Sequence, residues 1–250
     1  MQNQILIFSV MKLFNKNIQN IKKNIILYLK KAYPSLNFNM DNLILLHLGR
    51  FANATVFEYK SENLNLTIKD FSGSPWIIKE TLGKLFITSE YNTLLKLKDN
   101  PSIAKNTQKI SKYTLIFNYI EGKPLKAFPD TSLEKEFFLK LENNIELMHK
   151  KNIVHLDLRN LGNIIVGKDN YPYIIDFQSA ISTKFLTNWL EKTLKTSDLT
   201  GVYKSWKYKC TEPLDCKRLE ILENFNKIRK IWIFKGYPLS RYIKKIKGML

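Results

Sequence analysis

The stretch from Asn152 to Ala180, NIVHLDLRNLGNIIVGKDNYPYIIDFQSA, constrains the fold more than any other part of the sequence. Its apolar runs IIV and YII predict two short strands, and the turn-rich GKDNYP between them predicts a β-hairpin. A hairpin holds its two ends together, so Asp157 and Asn163 before the first strand should lie close to Asp176 after the second. Carboxylate and amide oxygens of this kind suit Mg²⁺, with substrate phosphates completing its coordination.

Either half of this stretch alone has an ordinary explanation, because Asp and Asn in loops commonly cap turns. The joint order is more specific: His-x-Asp-Leu, an Asn directly before an apolar strand, and Ile-Ile-Asp-Phe after a hairpin. It resembles the catalytic and metal-binding loops of the protein-kinase-like superfamily. The resemblance implies that Asp157 is the catalytic base and that Asn163 and Asp176 bind Mg²⁺. It also implies that Arg159 contacts the transferring phosphate.

The catalytic-loop segment departs from the family pattern at two positions. The family places its Asn five residues after the Asp, where this chain has Gly162, so Asn163 requires a one-residue insertion. We predict that the insertion bulges at residues 160–162. We also predict that Asn163 rather than Asn160 faces the metal, because Asn163 directly precedes the strand. Gln178 stands where the family has glycine.

Three apolar runs between residues 42 and 71, LILLHLG, ATVFEYK and LNLTIKDF, predict a small antiparallel sheet. Gly49 and Val56 in these runs resemble the loop and strand that cover the phosphates of ATP in kinases. Phe51 and Ala54 stand where the second and third glycines of that loop belong. Since glycine lets the backbone approach phosphate closely, we expect this lid to grip the nucleotide less well or differently.

The remaining nucleotide-binding residues are also implied by the resemblance. Leu-Thr-Ile-Lys, ending at Lys69, is similar to the kinase strand whose lysine neutralises the α- and β-phosphates. Glu90 begins a helical stretch further along the chain and is the expected partner of Lys69. The hinge that meets the adenine edge is expected at Asn118, Tyr119 and Ile120. ATP is therefore the implied phosphate donor.

The net charge of +18 at pH 7 is concentrated at the two ends of the chain. Residues 1–40 contain six lysines and no acid, and residues 224–250 contain eight basic residues and no acid. An anionic partner would explain this distribution. A genome biased towards Lys and Asn codons would explain it equally well.

Apolar residues between Met11 and Ala32 recur at helical intervals, which predicts an amphipathic basic helix that ends before Pro34. Such a helix could lie on an anionic membrane surface, or its stripe could pack on the domain. No apolar run reaches the length of a spanning helix, and no signal peptide is visible. We expect a cytoplasmic protein, with peripheral attachment to the inner face of the membrane as one interpretation.

The resemblance implies an α+β, two-lobed protein-kinase-like fold with a small antiparallel-sheet N-lobe and a short, mostly helical C-lobe. The expected divisions are a basic amphipathic helical extension at residues 1–40 and an N-lobe at 41–121. A C-lobe with the catalytic loop and a basic tail is expected at 122–250. No Ala-Pro-Glu follows Asp176, so the peptide-docking platform of ordinary protein kinases is expected to be absent.

Within the superfamily the chain looks most like small bacterial kinases of lipopolysaccharide-core sugars, and next like RIO-type kinases. The first resemblance implies an ATP-dependent transfer of phosphate to a sugar hydroxyl of an anionic glycolipid at the inner membrane surface. The second implies an atypical serine/threonine kinase or ATPase that acts on a protein or RNA assembly. A nucleotide-binding scaffold without catalysis, and a basic nucleic-acid binder, are further alternatives.

Overall fold

A helix and an antiparallel sheet form the first part of the molecule. The structure is a computed structural model that describes residues 2–49 and 53–231, with side chains described for 17–49 and 53–227. Helix α1 (Gln2–Ala32) precedes a five-stranded sheet of order β1-β2-β3-β5-β4. Its strands are β1 (Leu43–His47), β2 (Thr55–Lys60), β3 (Asn65–Asp70), β4 (Gln108–Lys109) and β5 (Thr114–Asn118). The three strands predicted between residues 42 and 71 are confirmed.

A helical insertion separates β3 from β4. It consists of α2 (Trp76–Ile78), a π-helical turn (Lys79–Gly83) and α3 (Lys84–Lys96). Gly83 lets the π-helical turn lie against the end of β3, because a Cβ atom at this position would stand 3.0 Å from Cβ of Phe71. This close approach fixes the start of α3, whose inward face includes Glu90.

The second part of the molecule combines helices with short strands. It contains β6 (Gly122–Pro124), α4 (Lys135–Lys150), β7 (Ile153–Val154), β8 (Ile164–Gly167), β9 (Pro172–Ile174), β10 (Ile181–Ser182), α5 (Asn188–Lys209) and α6 (Cys216–Ile231). Strands β8 and β9 pair antiparallel with Ile164 opposite Ile174, which confirms the predicted hairpin. β6 extends this sheet, and β10 pairs with β7.

Helix α1 covers the outer face of the five-stranded sheet. Ile21, Ile25 and Leu29 are buried in one apolar cluster with Phe57 of β2 and Ile68 of β3. The apolar stripe therefore packs on the domain over residues 17–32, which was one of the two interpretations of this helix. The earlier part of the stripe, from residue 11 to 16, lies outside the described side chains.

The inner face of the sheet packs on α3 and continues into the second apolar cluster. That cluster joins the two lobes, since it includes Phe117 of β5, Ile87 of α3 and Phe138 of α4. The predicted α+β, two-lobed architecture is confirmed. No helix among residues 2–49 and 53–231 is both long enough and apolar enough to cross a membrane.

Candidate active site

Lys69 projects from the inner face of β3 into the space between the lobes. Side chains alternate along a strand, and the neighbouring Ile68 lies on the opposite face against α1. The Nζ atom of Lys69 donates hydrogen bonds to Oε1 of Glu90 at 2.6 Å and to Oδ1 of Asp176 at 2.9 Å. Three residues that are distant in sequence therefore meet at one ammonium group.

These three groups set one another's protonation. Burial alone would lower the pKa of Lys69, but the Glu90 and Asp176 carboxylates outweigh burial and raise it well above its ordinary value. The Lys69 ammonium in turn lowers the pKa of Asp176. Oε1 of Glu90 also accepts the backbone N–H of Phe177 at 3.2 Å, so Glu90 is linked to the segment that contains Asp176.

Asp157 and Asn163 face each other across the catalytic loop. Nδ2 of Asn163 donates to Oδ2 of Asp157 at 2.8 Å and to its backbone oxygen at 3.1 Å. The backbone N–H of Ile175 donates to the backbone oxygen of Asn163 at 2.9 Å, which joins the loop to the strand end before Asp176. The hairpin thus joins the loop that contains Asp157 and Asn163 to the strand end that directly precedes Asp176.

The inserted residue is absorbed in a tight turn of residues 160–162. The backbone N–H of Gly162 donates to Oδ1 of Asn160 at 3.1 Å. The backbone N–H of Asn163 donates to the backbone oxygen of Asn160 at 2.9 Å. Asn160 is exposed, whereas Asn163 is buried beside Asp157. This arrangement agrees with the expected bulge, and the assignment of Asn163 as the metal ligand stays a prediction.

The segment after the hairpin does not require the family's glycine. Asp176 has a left-handed backbone with φ of 66°, whereas Gln178 is not among the non-glycine residues with positive φ. The backbone N–H of Gln178 hydrogen-bonds the Asp176 carboxylate and helps to lower its pKa. A side chain at position 178 is therefore compatible with the placement of Asp176.

Arg159 is the main departure from the sequence-based site. Its guanidinium donates to Oγ1 of Thr200 on α5 at 3.0 Å and to Oδ1 of Asn226 on α6 at 2.9 Å. In this geometry Arg159 fastens the catalytic loop to the helices of the second lobe. Its contact with the transferring phosphate stays a prediction, and these two hydrogen bonds direct part of the guanidinium towards α5 and α6.

The lid retains a tight bend at Gly49. The N–H of Gly49 donates to Oγ1 of Thr55 at 3.2 Å, and a Cβ atom at position 49 would stand 2.3 Å from the backbone oxygen of Asn53. Only glycine fits this approach. Val56 pairs with Lys69 across β2 and β3, so it lies above the cleft as the resemblance implied. Phe51 lies outside the described residues.

The hinge residues Asn118, Tyr119 and Ile120 follow β5. The backbone N–H of Asn118 donates to the backbone oxygen of Lys105 at 2.9 Å. The backbone N–H of Tyr119 donates to the backbone oxygen of Asn65 at 3.0 Å. Both donors are thus used within the protein. Any adenine contact here would depend on Ile120 and on groups other than these two N–H donors.

Asp198 on α5 positions the backbone just before Asp157, and the sequence reasoning missed it. Its carboxylate accepts the backbone N–H groups of His155 at 2.7 Å and Leu156 at 2.8 Å, and lies 3.2 Å from Nε2 of His149. These bonds hold Leu156 in a left-handed conformation with φ of 68° just before Asp157. Its partners are distant in sequence, and no local pattern marks it.

The oxygen-bearing side chains of Asn163 and Asp176 would suit Mg²⁺ bound together with a nucleotide. Asn163 and Asp176 supply one amide and one carboxylate, and Mg²⁺ is usually held by one or two carboxylates plus substrate phosphates. The Asp176 side chain is 43% exposed, so it is open to the cleft. Within the described residues there is no cluster of three or more His, Cys, Asp or Glu that could hold a metal without substrate.

The fold and the cleft together define a protein-kinase-like molecule. A Lys–Glu pair in a sheet-bearing lobe faces an Asp–Asn loop and a second Asp at the end of a hairpin. The family model of the RIO domain matches residues 71–216, which is more than half of the chain. The chain belongs to the RIO family of atypical kinases.

The structure comparison agrees with this fold. The crystal structure of the Rio2 kinase from Chaetomium thermophilum matches with a TM-score of 0.55 and 12% sequence identity. The match covers 84% of this chain and 72% of that chain. A search of the curated proteins finds no match.

The comparisons also bear on the acceptor that the sequence predicted. The RIO match includes the catalytic loop and Asp176 but begins after Lys69. The RIO-type alternative fits these findings, whereas neither comparison supports the lipopolysaccharide sugar that was the first expectation for the acceptor.

Proposed function

We propose that the protein is an ATP- and Mg²⁺-dependent phosphotransferase of the RIO kind, which acts on a hydroxyl group of a protein or RNA assembly. The main support is the ammonium of Lys69, held between Glu90 and Asp176 at 2.6 and 2.9 Å. A fixed positive charge in a cleft between two lobes is what phosphoryl transfer requires, because this reaction depends on positioning and charge neutralisation. Family membership supports the same assignment.

Each residue of the cleft has one proposed task. Lys69 binds the α- and β-phosphates, and Glu90 keeps the ammonium in place. Asp157 accepts the proton of the acceptor hydroxyl, and the amide of Asn163, 2.8 Å from Oδ2, orients this carboxylate. Asn163 and Asp176 would hold Mg²⁺, which when bound neutralises charge on the phosphates.

We also propose the domain division that the sequence predicts. Residues 41–121 form the N-lobe and residues 122–250 form the C-lobe. The extension at residues 1–40 packs on the N-lobe sheet through the buried side chains of α1. The basic tail lies largely outside the described residues, so its part in the C-lobe is proposed from sequence alone.

An anionic acceptor or partner is the other part of the proposal, and its support is the net charge of +18. RNA and an anionic glycolipid both have this chemistry. The apolar stripe of α1 gives less support to a membrane than the sequence suggested, because residues 17–32 use it for packing. The family match favours the assembly-directed alternative.

Calorimetric titration with Mg-ATP, followed by an ADP-release assay, tests the proposed function. We expect Asp157→Asn to lower turnover by about 100-fold, within the range of a lost general base. Nucleotide affinity should change little. Asp99→Asn is the matched control, because Asp99 is exposed and belongs to the turn that follows α3 rather than to the catalytic loop. Absence of Mg-ATP binding in the unaltered protein would overturn the proposal.

A further inference from the structure

The lengthened catalytic loop packs against Lys126. Lys126 belongs to a 3₁₀ turn (Leu125–Ala127) that follows β6. Its backbone N–H donates to the backbone oxygen of Leu161 at 3.2 Å. Its Nζ atom lies 3.5 Å, and its Cδ atom 3.7 Å, from the position that a Cβ atom on Gly162 would occupy. The lysine stem therefore lies across the glycine that the insertion brings into the loop.

The loop's own cation is used elsewhere. Arg159 is the one Lys or Arg between His155 and Asn163, and its guanidinium donates to Thr200 and Asn226 on the helices of the second lobe. A side-chain cation for a phosphate group at the end of the loop near Asn163 would thus come from another element, in addition to the proposed Mg²⁺.

Lys126 has the properties that such a cation needs. Its side chain is exposed, and among the described residues no carboxylate lies within ion-pair distance of its ammonium. The polar atom nearest to the same point on Gly162 is Oδ1 of Asn160, at 3.1 Å. An amide oxygen leaves the charge of Lys126 uncompensated, so this edge of the loop has a net positive charge.

We propose that Lys126 and the lengthened loop form a phosphate-binding subsite at the Gly162 end of the loop that contains Asp157. The ligand is a phosphate group, supplied by the terminal phosphate of the nucleotide or by a phosphate on the acceptor. An ammonium on a flexible stem binds phosphate as a point charge. This subsite rests on the proposed function, because the loop that it extends is the one that contains Asp157 and Asn163.

Three variants separate charge from packing. Lys126→Met keeps an unbranched stem over Gly162 and removes the charge, and Lys126→Arg restores the charge. Lys192→Met is the control, because Lys192 is exposed on α5 and its loss changes the net charge equally. Circular dichroism establishes that each variant is folded before titration.

Calorimetry with four probes then distinguishes the two sources of phosphate. If the nucleotide supplies the phosphate, Lys126→Met should lower the affinity for Mg-ATP about tenfold more than the affinity for Mg-ADP. If the acceptor supplies the phosphate, Lys126→Met should weaken the binding of inorganic phosphate to the protein saturated with Mg-ATP by about tenfold. Adenosine affinity should stay unchanged, and Lys126→Arg should recover most of the loss.

Unchanged affinity for every phosphate probe in Lys126→Met would overturn the subsite. An equal loss of adenosine affinity, or failure of Lys126→Arg to recover binding, would also overturn it, since both indicate a packing role. Absence of nucleotide binding in the unaltered protein is a different result, because it would overturn the proposed function itself.

Discussion

Replacing Lys69 with Met removes the ammonium from between two carboxylates. Glu90 is only 3% exposed, so its charge would be left in the protein interior. Removing one partner of a buried pair costs about 3–5 kcal/mol. In Lys69→Met, Glu90 still accepts the hydrogen bond from the backbone N–H of Phe177. The Asp176 side chain is 43% exposed, so water can solvate its carboxylate. We therefore expect a loss of about 3 kcal/mol in the free energy of unfolding, at the lower end of that range.

A double-mutant cycle isolates this interaction from the shape of the side chains. Glu90→Gln leaves Lys69 paired with Asp176, so we expect a smaller loss than in Lys69→Met. The double variant has no unpaired buried carboxylate at position 90, so it should be more stable than Lys69→Met alone. Urea unfolding at pH 7 without nucleotide measures all four stabilities, because bound ligand would add its own stabilisation.

The pH dependence supplies an independent check. The pKa of Asp176 is lowered in the folded state, chiefly by Lys69. Its contribution to stability is therefore present above the unfolded value of about 3.9 and is lost as the pH falls through the lowered folded value. The difference between the unaltered protein and Lys69→Met should shrink below about pH 4. Additive losses in the cycle, or a difference independent of pH, would refute the reasoning.

Two further predictions concern the metal ligand and the first helix. Asn163→Ala should weaken Mg²⁺-dependent nucleotide binding by about tenfold, and Asn160→Ala should weaken it less. Calorimetric titrations with and without Mg²⁺ measure both effects. A larger loss in Asn160→Ala than in Asn163→Ala would assign the metal ligand to Asn160. Ile25→Ala should lower the free energy of unfolding by about 3 kcal/mol, because Ile25 is 0% exposed against the sheet. Leu27→Ala is its control, since Leu27 is 51% exposed and should change stability by under about 0.5 kcal/mol; equal losses would contradict the packing of α1.

The hairpin was predictable because both of its determinants are local. Apolar runs of strand length and a turn-rich segment specify β8 and β9, and their pairing follows from the short connection. The hydrogen bond between Asn163 and the residue before Asp176 then follows from chain geometry. Lys69 and Glu90 were identified through a family resemblance, since nothing local in either sequence segment specifies a contact between a strand and a helix.

Arg159 and Asp198 show where sequence reasoning fails. Both are polar residues whose partners lie on elements far along the chain: Thr200 and Asn226 for Arg159, and His155 with Leu156 for Asp198. Their positions depend on how α5 and α6 pack under the catalytic loop. Periodicity predicts that these segments are helical, but it does not predict which buried carboxylate will meet an unpaired backbone N–H.

The packing of α1 on the sheet has a consequence for the order of events during synthesis. The helix is translated before the sheet, and its apolar cluster includes Ile116 of β5, which is translated much later. At about 5–20 residues per second, β5 follows on the order of ten seconds after α1. During that interval the apolar side chains of Ile21, Ile25 and Leu29 lack the complete sheet surface on which they pack in the folded protein. Docking of this helix on the N-lobe must therefore wait until β5, the last strand of its binding surface, has been translated.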